Sequence, residues 1–419
     1  MKFHDSSGAV LTIGAKLGQG GEGSVYATNE HPGVVAKIYS KPLTDQHVAK
    51  LEAMVSSGDD ALRSVAAWPI GTLYHKSKPV GFTMPLVTAR HQLHDLIGPR
   101  QRQTLFPNAH WAFLIHTAIN LARAFDVLHS RNVIIGDVNS TNVVVDRDST
   151  ARLIDCDSFQ MRTGATVFRC NVGVPEYQPP ELQHSDLSRI DRVPAHDLFG
   201  LAVMIFQLLF VGKHPFAGVL PGHIDETEIG ANVAAKRFFY APEARRMGLH
   251  PPPGSLTLAA LTPQVSAHFR HAFLGEPERR PSAGSWLTAL HDLKSRTVTC
   301  KTNRAHRFVR GRDCPWCALE RRGLAYFSGP QLAAPTAPVD DSIWQRFTND
   351  DVERVWAQIE RLTPPPFDPV IRKTRRYRRA PLGLWTPRLR SAYLQSALLA
   401  GLPALAIWMF ARPWAAAAW

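Results

Sequence analysis

The stretch ARLIDCDSFQMR, residues 151–162, runs as a short apolar strand and then sets two carboxylates, Asp155 and Asp157, on either side of Cys156. It closes a longer passage, NVIIGDVNSTNVVVDRDSTARLIDCDSF, whose β-branched runs read as a pair of short strands around a loop. Within it stand Asp137, Asn142 five residues on, and Asp155 thirteen residues after that. Outward from here the pattern changes with position. Residues 10–40 read as a strand, a glycine turn, a strand and a third strand, GVVAKIY, which makes a small antiparallel sheet. A helix over 44–57 and a strand in KPVGFTMPLV follow. WAFLIHTAINLARAFDVLHS reads as a long buried helix, and HDLFGLAVMIFQLLFVG is too apolar all round to be a surface helix. A small sheet followed by a helical lobe predicts an α+β chain with a cleft between two lobes.

LGQGGEGSVY places Gly18, Gly20 and Gly23 in the spacing G-x-G-x-x-G, where missing side chains let backbone N–H groups approach phosphate oxygens. Alone, this describes a plain hairpin equally well. What raises it is order: VVAK puts Lys37 on the third strand, GDVNSTN supplies Asp137 and Asn142, and LID supplies Asp155.

With those four spacings in agreement, residues 10 to about 293 resemble the eukaryotic-like protein kinase superfamily. The resemblance continues in GVPEYQPPEL, with Glu181 in the Ala-Pro-Glu position, in Asp197 and Gly200 of the apolar helix, and in Arg280 of ERRPSA, the usual partner of that glutamate. GGEG, GDVNSTN and DCDSFQ are closer still to a bacterial branch whose members carry a kinase domain and a C-terminal segment labelled as a DNA-binding helix-hairpin-helix.

The resemblance implies a two-lobed kinase fold, with a small lobe over about 10–87 and a large lobe over about 88–295. It also implies ATP- and Mg²⁺-dependent transfer of a γ-phosphate to serine or threonine hydroxyls of protein substrates. By the same resemblance Lys37 would grip the α- and β-phosphates, held by Glu52 of the first large helix. Asp137 would orient the attacking hydroxyl and accept its proton, Asn142 and Asp155 would hold Mg²⁺, and Gly18, Gly20, Gly23 and Val25 would cover the nucleotide. Met84 and Leu86 would lie beside the adenine.

Three departures bear on activity. Cys156 and Asp157 stand where Phe-Gly is usual, and Asp157 is expected to add an acceptor behind the metals. Ile135 and Gly136 replace His-Arg, which removes the usual partner of a phosphorylated activation segment. Asn139 replaces the lysine expected near the transferring phosphate. Because Lys37, Asp137, Asn142 and Asp155 all survive, an active kinase is the first reading. A nucleotide-binding pseudokinase scaffold is the alternative, and a nucleic-acid-binding regulator a further one.

The cysteines are Cys156, Cys170, Cys300, Cys314 and Cys317, the last three within one short segment. CKTNRAHRFVRGRDCPWC sets Cys300, His306, Cys314 and Cys317 in the pattern C-x5-H-x7-C-x2-C, which reads as a closed, structural Zn²⁺ site in a zinc-ribbon-like module over 298–323. A reduced CxxC with an incidental Cys and His is the blander reading. Arg304, Arg307, Arg310 and Arg312 surround it, without a recognition helix or stacking aromatics, so a protein-docking face is preferred over nucleic acid.

The net charge is +13 over 419 residues, and from residue 300 onward 19 Lys/Arg face 9 Asp/Glu. Residues 324–390 read as a linker with a short amphipathic helix in TNDDVERVWAQIERL and a basic stretch, IRKTRRYRRAPLGLWTPRLR. SAYLQSALLAGLPALAIWMFA, residues 391–411, carries no charge and has the length of about 20 residues that crosses a hydrocarbon layer of ~30 Å. The basic flank and the absence of a signal-like N-terminal run predict a transmembrane anchor in the inner membrane, with the kinase domain in the cytoplasm. A re-entrant hairpin ending in the Ala-rich stretch is a variant of the anchor, and a buried or interfacial helix is the other reading of that run.

Overall fold

The computed structural model describes residues 2–6, 8–89, 91–220 and 228–327. The small lobe is built from β1 (Lys2–Asp5), β2 (Val10–Gln19), β3 (Gly23–Thr28), β4 (Val34–Tyr39), α1 (Asp45–Ser57), α2 (Asp60–Val65), β5 (Gly71–His75) and β6 (Lys78–Pro85). The expected small antiparallel sheet closes into a barrel in the order β1-β2-β3-β4-β6-β5. β1, before the stretch read as the first strand, closes it by pairing His4 with Tyr74 and Asp5 with Leu73. Closure removes both sheet edges, and Phe3, Leu11, Ala36 and Leu73 fill the interior. Thr44 caps α1 by accepting from the His47 N–H at 3.3 Å. Lys50, Leu51 and Met54 are the helix's buried residues.

The helical lobe follows through β7 (His91–Gln92), α3 (Leu93–Ile97), α4 (Pro99–Leu105) and α5 (Trp111–His129). Next come β8 (Val143–Val145), β9 (Ala151–Leu153), β10 (Met161–Thr163) and β11 (Thr166–Phe168), then α6 (Pro194–Leu209), α7 (Ile229–Ala234), α8 (Pro263–Leu274) and α9 (Ala283–Ser295). β7, β8 and β9 form one small sheet and β10 and β11 a hairpin. As its composition requires, α6 is buried on nearly every side, with Phe206 and Phe210 stacked at 3.9 Å. Each such ring taken from water contributes about 1.5–3 kcal/mol. Gly200 lets α6 back onto the loop before β8, since a Cβ there would lie 2.6 Å from Val138 Cγ1.

After Arg296 the chain continues into β12 (Thr297–Thr299), β13 (Arg307–Val309) and α10 (Pro315–Glu320). This segment is too small to have its own core and borrows one. Trp316, 1% exposed, packs edge-on against Trp111 at 5.7 Å and Phe327 at 4.7 Å. Arg102 reaches across from α4 to donate to the Tyr326 carbonyl at 3.1 Å. Among the described residues no helix is long and apolar enough to cross a membrane. The expected linker helix, the basic flank and the run 391–411 lie outside the described residues.

Candidate active site

Lys37 sits mid-strand in β4, paired with Val25 of β3 on one side and Phe82 of β6 on the other, and Val25 in turn faces Gly18 of β2. That row brings the glycine turn, Val25 and Lys37 onto one side of the barrel. The glycines divide their work. A Cβ on Gly23 would meet the Ile38 carbonyl oxygen at 2.3 Å, so this position is fixed by the approach of β4, whereas Gly18 has nothing within 4 Å and Gly20 only closes the turn onto the Gly23 carbonyl at 2.8 Å. Met84 and Leu86 are half-buried at the end of β6, and the Leu86 N–H donates to the Gly33 carbonyl at 2.9 Å.

The loop before β8 is held from below. Asp197 of α6, 1% exposed, accepts from the backbone N–H groups of Ile135 at 2.8 Å and Gly136 at 2.9 Å and from His129 at 3.0 Å. Asn142 Nδ2 donates to Asp137 Oδ2 at 3.0 Å and to the Asp137 carbonyl at 3.1 Å, and among the described residues Asp137 Oδ1 has no hydrogen-bond partner. A buried carboxylate oxygen without a donor is what a proton acceptor awaiting a hydroxyl presents. Asn139 does not face the cleft as a substitute cation. It is 6% exposed, and its Oδ1 accepts from the N–H groups of Thr141 at 2.9 Å and Asn142 at 3.1 Å, so it shapes the loop that aims Asn142.

After β9, Asp155 takes a left-handed backbone, φ 58° and ψ 39°, and Cys156 turns into the core at 2% exposure in place of an aromatic ring. The Asp155 carboxylate meets Lys37 Nζ at 2.7 Å. Lys37 also donates to both oxygens of Asp157, at 2.8 and 2.7 Å, and the Tyr39 hydroxyl donates to Asp157 at 2.5 Å. Burial alone would lower the Lys37 pKa, but the charges of Asp157 and Asp155 outweigh it and hold the ammonium above its ordinary value. Burial and the same Asp157 push the Tyr39 hydroxyl up strongly, so it stays a donor.

The expected Lys37–Glu52 pair does not form. Glu52 is exposed on α1 and accepts from the Tyr74 hydroxyl at 3.3 Å. On the helix face turned inward stands Lys50, 8% exposed. The carboxylate that the resemblance assigns to α1 is thus supplied from after β9, by Asp157. A lysine between the apolar positions of α1 and an acid in the third position of Asp-Cys-Asp were the signals available in the sequence.

Asp137 and Asn142 are joined by a hydrogen bond, Asp155 by an ion pair to Lys37, and the Asp155 side chain is 46% exposed. An amide oxygen and a carboxylate form a hard donor set that fits Mg²⁺. Behind the site, Arg280, its side chain 1% exposed, grips Glu181 through two bonds of 2.5 and 2.8 Å. Burial raises the Glu181 pKa, but the hydrogen bonds and charge of Arg280 more than offset it and hold the carboxyl below its ordinary value.

A second cluster gathers Cys300 at the end of β12, His306 beside β13, and Cys314 and Cys317 at the start of α10, their ligand atoms all within 4.8 Å of one another. Cys300 Sγ lies 3.6 Å from Cys317 Sγ, and His306 Nδ1 lies 3.6 Å from Cys314 Sγ and 3.4 Å from Cys317 Sγ. Tetrahedral bonds of about 2.3 Å to sulfur require edges of about 3.8 Å, which these separations approach. His306, fully buried, turns Nε2 to Glu320 Oε1 at 3.0 Å. Nothing in the sequence spacing singled out Glu320.

A lysine, a loop aspartate with its asparagine, and a strand-end aspartate across a two-lobed cleft define a protein kinase, and the protein kinase domain family model matches residues 11–247. The chain belongs to that family. It is 36% identical over 372 residues to protein kinase YegI of Escherichia coli (strain K12), which covers 87% of this chain and 56% of that protein. Protein kinase YegI of Escherichia coli O157:H7 is 38% identical over 331 residues, 78% of this chain and 51% of that protein. The bacterial branch of the superfamily is therefore the right one, and the chain spans about half the length of these relatives. Among solved structures, the ROP18 kinase domain in complex with AMP-PNP and sucrose aligns at a TM-score of 0.48 and 15% identity, over 70% of this chain and 83% of that one.

Proposed function

We propose that the chain is an ATP-dependent serine/threonine-type protein kinase acting on protein substrates. The observation that carries this is Asp137: Asn142 holds its Oδ2 and, among the described residues, no donor takes its Oδ1, so the carboxylate is aimed and one oxygen is left uncommitted for a substrate hydroxyl. Lys37, kept charged, supplies the cation for the α- and β-phosphates, and Asn142 Oδ1 and the Asp155 carboxylate supply the ligands for Mg²⁺. Bound Mg²⁺ would neutralise the phosphate oxygens, while the chain's own part is positioning and charge. The full chain incubated with labelled ATP, Mg²⁺ and a generic acceptor should transfer phosphate. Lys37→Met, Asp137→Ala and Asp155→Asn should each reduce transfer to background. Transfer at the wild-type rate in Asp155→Asn would put the active site elsewhere, and ATP binding without transfer would favour a scaffold.

Two finer assignments go with this reading. The Cys300, His306, Cys314 and Cys317 cluster would hold a structural Zn²⁺, supported by its tetrahedral spacing and by the absence of an open position among four protein ligands. Residues 391–411 would anchor the chain in the inner membrane with the kinase in the cytoplasm, supported by their charge-free length and the eight Lys/Arg of residues 371–390. Resistance of the full chain to alkaline carbonate, lost on deletion of 391–419, tests the anchor. Release by salt alone would mean that the basic flank merely docks on anionic lipid.

A further inference from the structure

Beside the cleft, a cavity of about 650 Å³ opens between the tip of the glycine turn, the inward face of α1 and the β10–β11 hairpin. Its wall includes Glu22, Lys41, His47, Lys50, Ser158 and Arg169, and none of Val25, Met84 or Leu86, so it is not the adenine end of the nucleotide cleft. We propose that this cavity is a separate binding site for a phosphoryl group, with the ammonium of Lys50 as its buried cation.

Lys50 is 8% exposed and makes no hydrogen bond or ion pair with any described residue. Its stem is buried and its unpaired ammonium borders the cavity, where an anion would compensate the charge. The carboxylates within its electrostatic reach are Asp157, Glu22 and Asp155. Asp157 is already taken by Lys37 and Tyr39, and Asp155 by Lys37. Glu22 is the one acid of the wall without a cation on it, against Lys41, Lys50 and an Arg169 that gives its Nε to Asp191 at 2.7 Å and keeps its terminal nitrogens. The wall is therefore short of negative charge. Cationic side chains line it from α1 (Lys50), from the chain just after β11 (Arg169) and from the turn after β4 (Lys41), an arrangement from three directions that suits a tetrahedral oxyanion better than a planar carboxylate. The phosphoryl group comes either from a free phosphate monoester or from this chain's own Ser158 or Ser188, two residues that line the cavity.

The test is calorimetric titration of inorganic phosphate into the full chain, with and without saturating AMP-PNP and Mg²⁺. Phosphate should bind in both conditions, Lys50→Met should raise its Kd at least about tenfold, and Lys50→Arg should restore most of the affinity. In phosphate-free buffer Lys50→Met should melt at or above the wild-type temperature, which shows that the variant folds. Phosphate binding unchanged in Lys50→Met, complete displacement by AMP-PNP, or no binding by wild type whose intact mass shows no phosphorylation would each overturn the proposal. Failure to bind AMP-PNP would count against the kinase reading and leave the Lys50 dependence intact as a separate result. Intact mass after incubation with ATP separates the two sources. A phosphorylated chain that refuses free phosphate until Ser158→Ala or Ser188→Ala removes the modification assigns the group to the chain itself, and unchanged uptake assigns it to an outside ester.

Discussion

Asp157 holds the ammonium of Lys37 on both of its oxygens, at 2.8 and 2.7 Å, with its own side chain only 5% exposed. The aspartate lies two residues after the metal-ligand position, so the cation that would grip ATP is oriented from the same turn that carries Asp155. Helix α1 is freed from that duty, and its inward position is filled by a lysine instead. The orientation of Lys37 therefore depends on the turn after β9, and less on how α1 is placed.

This arrangement makes the departure from Asp-Phe-Gly a requirement. Asp157→Gly, which restores the usual residue of the superfamily, should lower kcat/KM for ATP by about 10- to 100-fold, because Lys37 loses its positioning partner and retains only Asp155. Tyr39→Phe removes one hydrogen bond to the same carboxylate and should cost about fivefold or less. Steady-state kinetics of the three proteins decides it. An Asp157→Gly enzyme as active as wild type would mean that another carboxylate takes over once nucleotide is bound.

Glu52 supplies the converse measurement. It is exposed, and its recorded partner is a tyrosine hydroxyl, so Glu52→Gln should change turnover by no more than about twofold and stability by no more than about 0.5 kcal/mol. A loss of a hundredfold would show that α1 rotates to present Glu52 when ATP binds.

Much of this was legible in the sequence because it rests on spacing. The strand that carries Lys37, the loop between Asp137 and Asn142, the turn at Asp155 and the apolar helix that begins near Asp197 all announce themselves by period and by glycine, and Glu181 and Arg280 meet as the resemblance implies. Partnerships that depend on which way a helix is rotated did not show. Glu52 and Lys50 are two residues apart on α1, roughly opposite in direction, and only packing decides that Leu51 and Met54 take Lys50 inward with them. β1 escaped because four residues give no measurable alternation, and its role comes from a pairing with β5 about seventy residues away. Glu320 escaped because an acid that orients a metal-facing histidine obeys no fixed spacing.

The Arg280–Glu181 pair gives a pH dependence with a definite sign. The folded carboxyl titrates below its ordinary value of 4.5, so the folded state holds fewer protons than the unfolded chain at low pH. Its contribution is therefore complete above that ordinary value and is lost as pH falls through the lower folded pKa. Urea melts of wild type between neutral pH and the acid range should show a decline that Glu181→Gln lacks, since the amide does not titrate. Arg280→Ala, which strands Glu181 and opens space against Phe199, should cost about 3–5 kcal/mol at neutral pH. Equal acid sensitivity in wild type and Glu181→Gln would assign the decline to other carboxylates.

Cys300, His306, Cys314 and Cys317 staple the last described segment to itself, and Trp316 docks that segment on Trp111 of the helical lobe, so removal of a Zn²⁺ held by the cluster should be felt at that contact. Burial raises the thiol pKa values in general, but backbone N–H groups of Asn303 and Thr302 and the neighbouring thiols pull Cys300 down to about 7, while burial and the other two sulfurs push Cys317 up to about 12. Three sulfurs this close do not ionise together without a cation among them, so the cluster in its thiolate form requires the metal. Elemental analysis of the full chain should give one Zn²⁺ per molecule, and X-ray absorption should show three sulfur ligands at about 2.3 Å and one nitrogen at about 2.0 Å. Cys314→Ser with Cys317→Ser, or a strong chelator, should release it. Because Trp316 is buried between Trp111 and Phe327, release should undock α10 and shift tryptophan emission to the red. Glu320→Gln keeps all four ligands but weakens the hold on His306 Nε2, and should reduce zinc affinity by about 10- to 100-fold with the fold intact. Metal-free wild-type protein with unchanged emission and melting temperature would leave the segment held by the tryptophan packing alone, and the cysteines without a structural role.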